Sequence, residues 1–238
     1  KLLLKLFIYE YIKMNKEYII IRPTGSLCNK LRVILSYKNE YPNKLIKVLW
    51  LMNDSYKVGC KFEDYFEPIE NVKFYYDEHW KEFTKLGIDY TGCYSINNNY
   101  DTSILKPNKY IEDKINLFLK DIDTFNAIHV RRTDFSAETN RLSTMTSDEE
   151  FESYIKENSN IKIYLATDNS DTQKIFSEKY KNIFFYDKIE KNSTEMYVRN
   201  TPMDIAIIDI FICSKANNFL GTRGSSFSDM IEFLRDEL

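Results

Sequence analysis

Short apolar runs alternate with amphipathic segments through the second half of the chain. The runs have the length and composition of buried strands, which the pattern predicts at 126–131, 162–166, 182–186 and 218–221. Helix-length segments lie between and after them, at 147–157, 171–180, 202–215 and 225–236. Strands that alternate with helices indicate a parallel sheet with helices on both faces.

Two helix starts in this half carry recognisable capping signals. Ser147-Asp-Glu-Glu150 fits a capping box, in which the Ser and Glu side chains satisfy each other's backbone N–H groups. Thr201-Pro202 fits an N-cap followed by proline at the first helical position. These signals place the starts of the helices predicted at 147–157 and 202–215.

The first half is less regular. A strand at 17–22, a glycine turn at 23–27, a helix at 28–37 and a strand at 47–52 predict one βαβ unit. Residues 54–108 are rich in Tyr, Phe, Asn and Asp with poor periodicity, which predicts loops and short elements.

Length and composition indicate a globular protein. The chain has 238 residues, 43% of them hydrophobic and 29% charged, which excludes disorder for most of it. We predict an α/β fold of two lobes, 14–110 and 111–238, with a connecting helix and linker over 109–124. A chain of this size buries about 70–75% of its unfolded surface and needs no disulfide or metal to fold.

Charge, cysteines and the N-terminus exclude several classes of protein. The net charge of −3 and a pI near 5.6 argue against a nucleic-acid partner. Four scattered cysteines and two histidines fit no recognised zinc or iron–sulfur spacing, so Cys28 and Cys213 are interpreted as reduced core residues and a reducing compartment is expected. Residues 1–13 are apolar but interrupted by charges and shorter than the ~20 residues of a membrane span. We expect a packed extension, with an amphipathic surface helix as the alternative, and no stable membrane insertion.

Three polar clusters fall at predicted strand ends. They are His129-Val-Arg-Arg-Thr-Asp134, Thr167-Asp-Asn169 and Thr222-Arg-Gly-Ser-Ser226. Because open α/β sheets bind ligands at the carboxyl ends of their strands, the three loops predict one site, with Asp168 contributed by the second of them.

The first and third clusters suit a phosphate. His129 and Arg131 project to the same side of a strand, and a guanidinium beside a helix N-terminus can bind a phosphate or diphosphate. The alternative is an ion pair of Arg131 or Arg132 with Asp134 or Asp168. Ser225 and Ser226, after a glycine turn, either donate to a phosphate or cap the last helix.

The other candidate residues also have both a ligand-binding and a purely structural interpretation. Asp209 lies in an apolar helix and requires a donor, either a guanine edge or a buried Arg or backbone amide. His129 could equally be a core histidine. Asp121-Ile-Asp123 matches the metal-binding Asp-x-Asp pattern but precedes a strand, so it is interpreted as a solvated helix end. The turn at 23–32 lacks dinucleotide and P-loop fingerprints and is either a ligand-lining loop or a tight turn.

The motifs resemble those of the fucosyltransferase superfamily, which includes α1,6-, α1,2- and protein O-fucosyltransferases, with the closest likeness to the α1,6 group. Three matches carry the resemblance in order and spacing over about 126–235: His129–Asp134, Tyr164-Leu-Ala-Thr-Asp168, and Ile208-Asp-Ile210 followed by Ser225-Ser226. In the first half, Gly25 and Asn29 match a Gly-x-x-x-Asn-Gln loop in which Lys30 replaces Gln.

This resemblance implies a compact glycosyltransferase-B fold with two Rossmann-like lobes. It implies an inverting, metal-independent enzyme that transfers fucose from GDP-fucose to a glycan, with the acceptor on the first lobe. Arg131, helped by Arg132 and Ser226, would hold the diphosphate, while His129 and Asp209 would read the guanosine. The remaining donor-binding residues that the resemblance implies are Asp168, Ser225, Gly25 and Asn29.

Some positions depart from the family pattern. Phe135 stands where the family has Lys. Glu138 matches the base proposed for the α1,6 group only with a one-residue gap, so Asp134 competes with it for that role. The alternatives are a transferase for another nucleotide sugar, an inactive nucleotide- or glycan-binding module, and a metal-dependent transferase using Asp121 and Asp123. Without the Golgi anchor of animal members, we expect a soluble bacterial or viral-type enzyme of the cytoplasm.

Overall fold

The computed structural model describes residues 16–54, 58–97, 100–132, 145–187 and 201–235. The described chain divides into two units. The first contains 16–54 and most of 68–101, and the second contains 58–67 and the described residues from 102 onward.

The first unit is a parallel sheet with helices. Its elements are β1 Tyr18–Pro23, α1 Leu27–Glu40, β2 Leu45–Leu49, β3 Val72–Tyr75, α2 Trp80–Leu86 and β4 Tyr90–Gly92. The four strands lie in the order β3-β2-β1-β4, and every neighbouring pair is parallel.

The second unit repeats this arrangement. Its elements are α3 Lys109–Leu119, β5 Asn126–Val130, α4 Asp148–Glu157, β6 Ile163–Thr167, α5 Ser170–Lys179, β7 Ile183–Phe184, α6 Met203–Ser214, β8 Phe219–Leu220 and α7 Ser226–Arg235. The strand order is β7-β6-β5-β8, again all parallel.

Both sheets have a topological switch point. In chain order each sheet reads third, second, first, fourth, so the order reverses between β1 and β4 in one unit and between β5 and β8 in the other. Ligands of doubly wound sheets bind at the carboxyl edge of this position. In the second unit that edge carries the residues after Val130 and Leu220.

Alternate residues of β5 face different helices. Ile128 and Val130 pack against α4 and α5 through Phe151, Ile155 and Phe176. His129 points to the opposite face, where its ring meets α7. Because α6 is buried from Ile205 to Ser214, this second face of the sheet is also covered, as a parallel sheet requires.

The predicted elements of the second half match the structure to within a few residues, and the capping box is confirmed. Ser147 Oγ accepts from Glu150 N at 3.3 Å, and Glu150 Oε2 accepts from Ser147 N at 2.8 Å. The N-cap predicted at Thr201 is wrong by one residue. Pro202 is the N-cap of α6, since its ψ of 146° is not helical.

The irregular stretch 54–108 contains β3, α2 and β4, which the poor periodicity did not reveal. Part of it belongs to the second unit rather than to the first. Asn108 Nδ2 donates to the carbonyl of Asp64 at 2.9 Å, and the Phe66 ring lies 6.3 Å from Phe211 of α6. Residues 58–67 and 102–108 belong to the second unit, whereas the sequence predicted them in the lobe 14–110.

All four cysteines lie in the described part of the chain and are thiols. Cys28 and Cys213 are buried, which confirms their prediction as core residues. Within the described ranges, no helix combines the length and the apolar composition needed to cross a membrane.

Candidate active site

Three loops are in contact at the carboxyl edge of the second sheet. Thr222 Oγ1, after β8, accepts from Arg131 N at 3.0 Å and donates to His129 O at 2.8 Å. Asp168, after β6, accepts from Arg132 N at 2.8 Å. The structure therefore brings together the three polar clusters that the sequence placed at strand ends, and it holds the backbone of both arginines by neighbouring loops.

His129 is oriented by α7. The histidine is 3% exposed, its ring stacks on Phe227 with centroids 4.5 Å apart, and its Nδ1 lies 2.8 Å from Ser228 Oγ. The neighbouring position on β6 is Ala166, whose small side chain lies on the same face of the sheet. Ser228 escaped the sequence analysis, although its spacing from Ser225 places it on the first turn of the predicted helix.

Glycines shape the turn between β8 and α7. A Cβ on Gly221 would lie 2.6 Å from Ser228 Cβ, so glycine is required for α7 to approach the strand. Gly224 has φ +74°, in the left-handed region that favours glycine. Ser225 precedes α7 and Ser226 is its first residue. The N–H groups at this helix start can bind an anion.

Acidic residues of α4 pair with two arginines of this edge. The Arg132 guanidinium contacts Asp148, and Arg223 forms a fork with both carboxylate oxygens of Glu150 at 2.7–2.8 Å. From the sequence, the acidic run after Ser147 was expected only to cap the helix. The structure shows that the same run also compensates cationic charge at the edge of the sheet.

Asp209 lies deeper than the edge. Its carboxylate accepts a 2.5 Å hydrogen bond from the Tyr164 hydroxyl, and the two residues are 3% and 0% exposed. Tyr164 pairs in register with Ala127, three positions before β6 ends at Thr167. Burial, reinforced by the charge of Asp209, raises the pKa of Tyr164 well above 10. The hydrogen-bond donor expected for Asp209 is therefore present within the protein. It is a tyrosine hydroxyl, rather than the buried Arg or backbone amide that the sequence suggested.

At the matching edge of the first unit, Gly25 lies in the turn after β1, and Asn29 lies in the first turn of α1. Gly25 has φ +85°, and Asn29 Nδ2 lies 3.5 Å from Ser26 Oγ. Lys30 is fully buried, and its ammonium group donates to Asp54 at 2.6 Å and to the carbonyls of Pro23 and Leu51 at 3.2 Å. The substitution of Gln by Lys thus creates a buried ion pair that ties together the ends of β1 and β2.

Four other candidate residues contribute no geometry to this site. Asp134 and Glu138, the two candidate bases, lie outside the described residues. Asp121 and Asp123 are exposed and precede β5, at the opposite end of the strand from Arg131, which confirms the solvated helix end. Among the described residues, no group of three or more His, Cys, Asp or Glu side chains could hold a metal ion.

Comparison with known protein families assigns the chain to one of them. The family model described as GDP-fucose protein O-fucosyltransferase matches residues 13–238. The chain belongs to this family. It is a glycosyltransferase of the fucosyltransferase superfamily, as the motifs predicted. No curated protein sequence matches it.

Solved fucosyltransferases share the fold. NodZ α-1,6-fucosyltransferase soaked with GDP-fucose is 14% identical with TM-score 0.57, covering 91% of this chain and 92% of that chain. NodZ from Bradyrhizobium is 13% identical with TM-score 0.58, covering 91% and 93%. POFUT1 in complex with GDP is 12% identical with TM-score 0.53, covering 92% and 95%. The predicted α/β fold of glycosyltransferase-B type is confirmed.

Proposed function

We propose that this fucosyltransferase transfers fucose from GDP-fucose to an acceptor hydroxyl, with inversion and without a metal ion. The second unit would bind the donor, and the first unit would bind the acceptor. One observation carries the proposal: Arg131 leaves β5 at the switch point, with its backbone held by Thr222 beside the start of α7. The solved NodZ and POFUT1 structures with GDP-fucose and GDP support the choice of donor.

The diphosphate would lie between Arg131 and the start of α7. A guanidinium can donate two parallel hydrogen bonds to phosphate oxygens, and Ser225, Ser226 and the first N–H groups of α7 supply further donors. When GDP departs, negative charge grows on the β-phosphate while the sugar becomes oxocarbenium-like. Donors that are already in place stabilise that charge more in the transition state than in the ground state, which accelerates the reaction.

Guanosine would lie at the carboxyl edge, on the side of the sheet that carries His129 and Asp209. The His129 ring is held by Phe227 and Ser228 and can present Nε2 to the nucleoside. Asp209, on α6 over the same face, would accept from the guanine N1–H and amine. Asp168 and Arg132 would act through the backbone, since the Asp168 carboxylate holds the Arg132 amide.

The acceptor hydroxyl would be deprotonated by Asp134 or Glu138. A general base must reach that hydroxyl by a hydrogen bond, and the attack would come from the face opposite GDP, which inverts the anomeric carbon. The sequence predicts a glycan acceptor, whereas the family description names a protein, so both kinds of acceptor belong in the assay.

A thermal-shift and GDP-release panel tests the proposal. We expect stabilisation by GDP and GDP-fucose but not by UDP-sugars, unchanged by EDTA, and GDP release that rises with an acceptor. Stabilisation by another nucleotide sugar alone would overturn the assignment of GDP-fucose as the sugar donor. Donor binding without any GDP release would show that the protein is a binding module rather than an enzyme. Loss of activity in EDTA would favour the alternative of a metal-dependent transferase. Glycan and serine- or threonine-bearing protein acceptors are compared in parallel.

A further inference from the structure

Two buried threonines make the same pair of hydrogen bonds to the loops of the donor edge. Thr222 Oγ1 donates to His129 O at 2.8 Å and accepts from Arg131 N at 3.0 Å. Thr146 Oγ1 donates to Gly221 O at 2.8 Å and accepts from Arg223 N at 3.0 Å. In both cases one hydroxyl bridges the carbonyl of a residue and the amide two positions later.

Each bridge satisfies two backbone groups beyond the point where the pairing of β5 with β8 ends, at Ile128 and Leu220. A threonine hydroxyl has one hydrogen to donate and accepts through its lone pairs, so both of these bonds can form together. Thr222 and Thr146 are 0% and 2% exposed. Because both hydroxyls are buried, replacing either threonine by valine would remove two hydrogen bonds to the backbone that water is poorly placed to restore.

The two bridges act in series. Thr146 fixes the segment from Gly221 to Arg223, and that segment carries Thr222, which fixes the end of β5. We propose that Thr146 and Thr222 are positioning residues that set the Arg131 backbone and the β8–α7 turn for the donor diphosphate. This inference rests on the proposed donor site, and both threonines act through the backbone rather than by touching the donor.

Paired substitutions test the role of the hydroxyl groups. Thr222→Val and Thr146→Val keep the side-chain shape without the hydroxyl, and Thr222→Ser and Thr146→Ser restore it. Thr102→Val is the matched control, since Thr102 is 1% exposed and its hydroxyl donates to Phe233 O in the same unit, near the other end of α7. We expect both valine variants to weaken GDP binding roughly tenfold and the serine variants to restore most of it.

Amide hydrogen exchange supplies a readout independent of activity. In Thr222→Val the Arg131 amide should exchange faster, and in Thr146→Val the Arg223 amide should do so, while Thr102→Val leaves both unchanged. If a valine variant folds and binds GDP as tightly as the wild type, the positioning role is overturned. If Thr222→Val does not fold, Thr146→Val decides, because the Thr146 hydroxyl bonds to Gly221 and Arg223 of the β8–α7 turn.

Failure of the proposed donor site would give a different result from failure of the positioning role of the two threonines. A wild-type protein that binds no GDP would overturn the donor site whatever the variants do. Wild-type GDP binding that Thr102→Val weakens as much as Thr222→Val would instead overturn the positioning role, because the loss would then follow any buried threonine hydroxyl of this unit.

Discussion

The Tyr164 hydroxyl donates to the Asp209 carboxylate at 2.5 Å, joining β6 to α6 inside the second unit. Removing a donor from a buried carboxylate costs more than an average hydrogen bond because the remaining charge stays desolvated. Tyr164→Phe should therefore lower the free energy of unfolding by about 2 kcal/mol. Urea denaturation measures the change, with Tyr94→Phe, at an exposed tyrosine, as control. Equal stability of Tyr164→Phe and the wild type would contradict this.

Asp209→Asn should separate the structural and nucleotide-binding roles of Asp209. The amide oxygen still accepts from Tyr164, so the stability loss should be smaller than for Tyr164→Phe. Asn offers one acceptor where a carboxylate offers two, so the preference for GDP over IDP, which lacks the exocyclic amine, should fall roughly tenfold. Calorimetric titration with both nucleotides measures it. An unchanged preference would remove Asp209 from the guanosine site.

Arg131→Ala should cost about 2–4 kcal/mol of transition-state stabilisation, by analogy with the loss of a preorganised donor. Arg131→Lys should recover only part of this, since an ammonium group lacks the planar fork. The ratio kcat/KM for GDP-fucose measures the effect, and Lys174→Ala on the exposed face of α5 is the control. A folded Arg131→Ala enzyme with full turnover would show that the site assignment is wrong.

Lys30→Met should destabilise the first unit by about 3–5 kcal/mol, because it leaves the buried Asp54 carboxylate without its cation. Burial lowers the pKa of Lys30 even though Asp54 opposes that shift. Lys30→Met/Asp54→Asn should be more stable than the sum of the single changes predicts, and a double-mutant cycle in urea measures the coupling. Additive losses would mean that the ion pair contributes nothing.

Stability should fall as the pH rises above about 10. Burial raises the pKa of Tyr65 to about 12 and raises the pKa of Tyr37 and Tyr164 above 10. The unfolded chain releases these protons at lower pH than the folded chain, so unfolding becomes more favourable between the unfolded and folded pKa values. The lowered pKa of Lys30 acts in the opposite direction. Tyr154, whose pKa burial also raises, acts with the other three tyrosines. Urea denaturation at a series of pH values measures the change, and a free energy of unfolding that stays constant as the pH rises above about 10 would contradict this.

Local signals sufficed for the elements of the second half. The strand from Asn126 to Val130 is an apolar run, and the start of α4 follows from Ser147 and Glu150, whose side chains lie one turn apart. Stretches with weak periodicity were not predictable in the same way. β4 has three residues and is held by pairing with β1, a partner far away in sequence.

The candidate site likewise combines features set by local sequence with features set by contacts between distant residues. The sequence by itself determined the residue types at the carboxyl ends of the strands, such as Arg131, because strand length and alternation are local properties. Only the tertiary structure decided their partners: Thr222 for Arg131, Ser228 for His129, and Tyr164 for Asp209. Each pair joins residues separated by 45 to 99 positions. Hydrogen bonds over such distances depend on how the strands and helices pack, which no local pattern encodes.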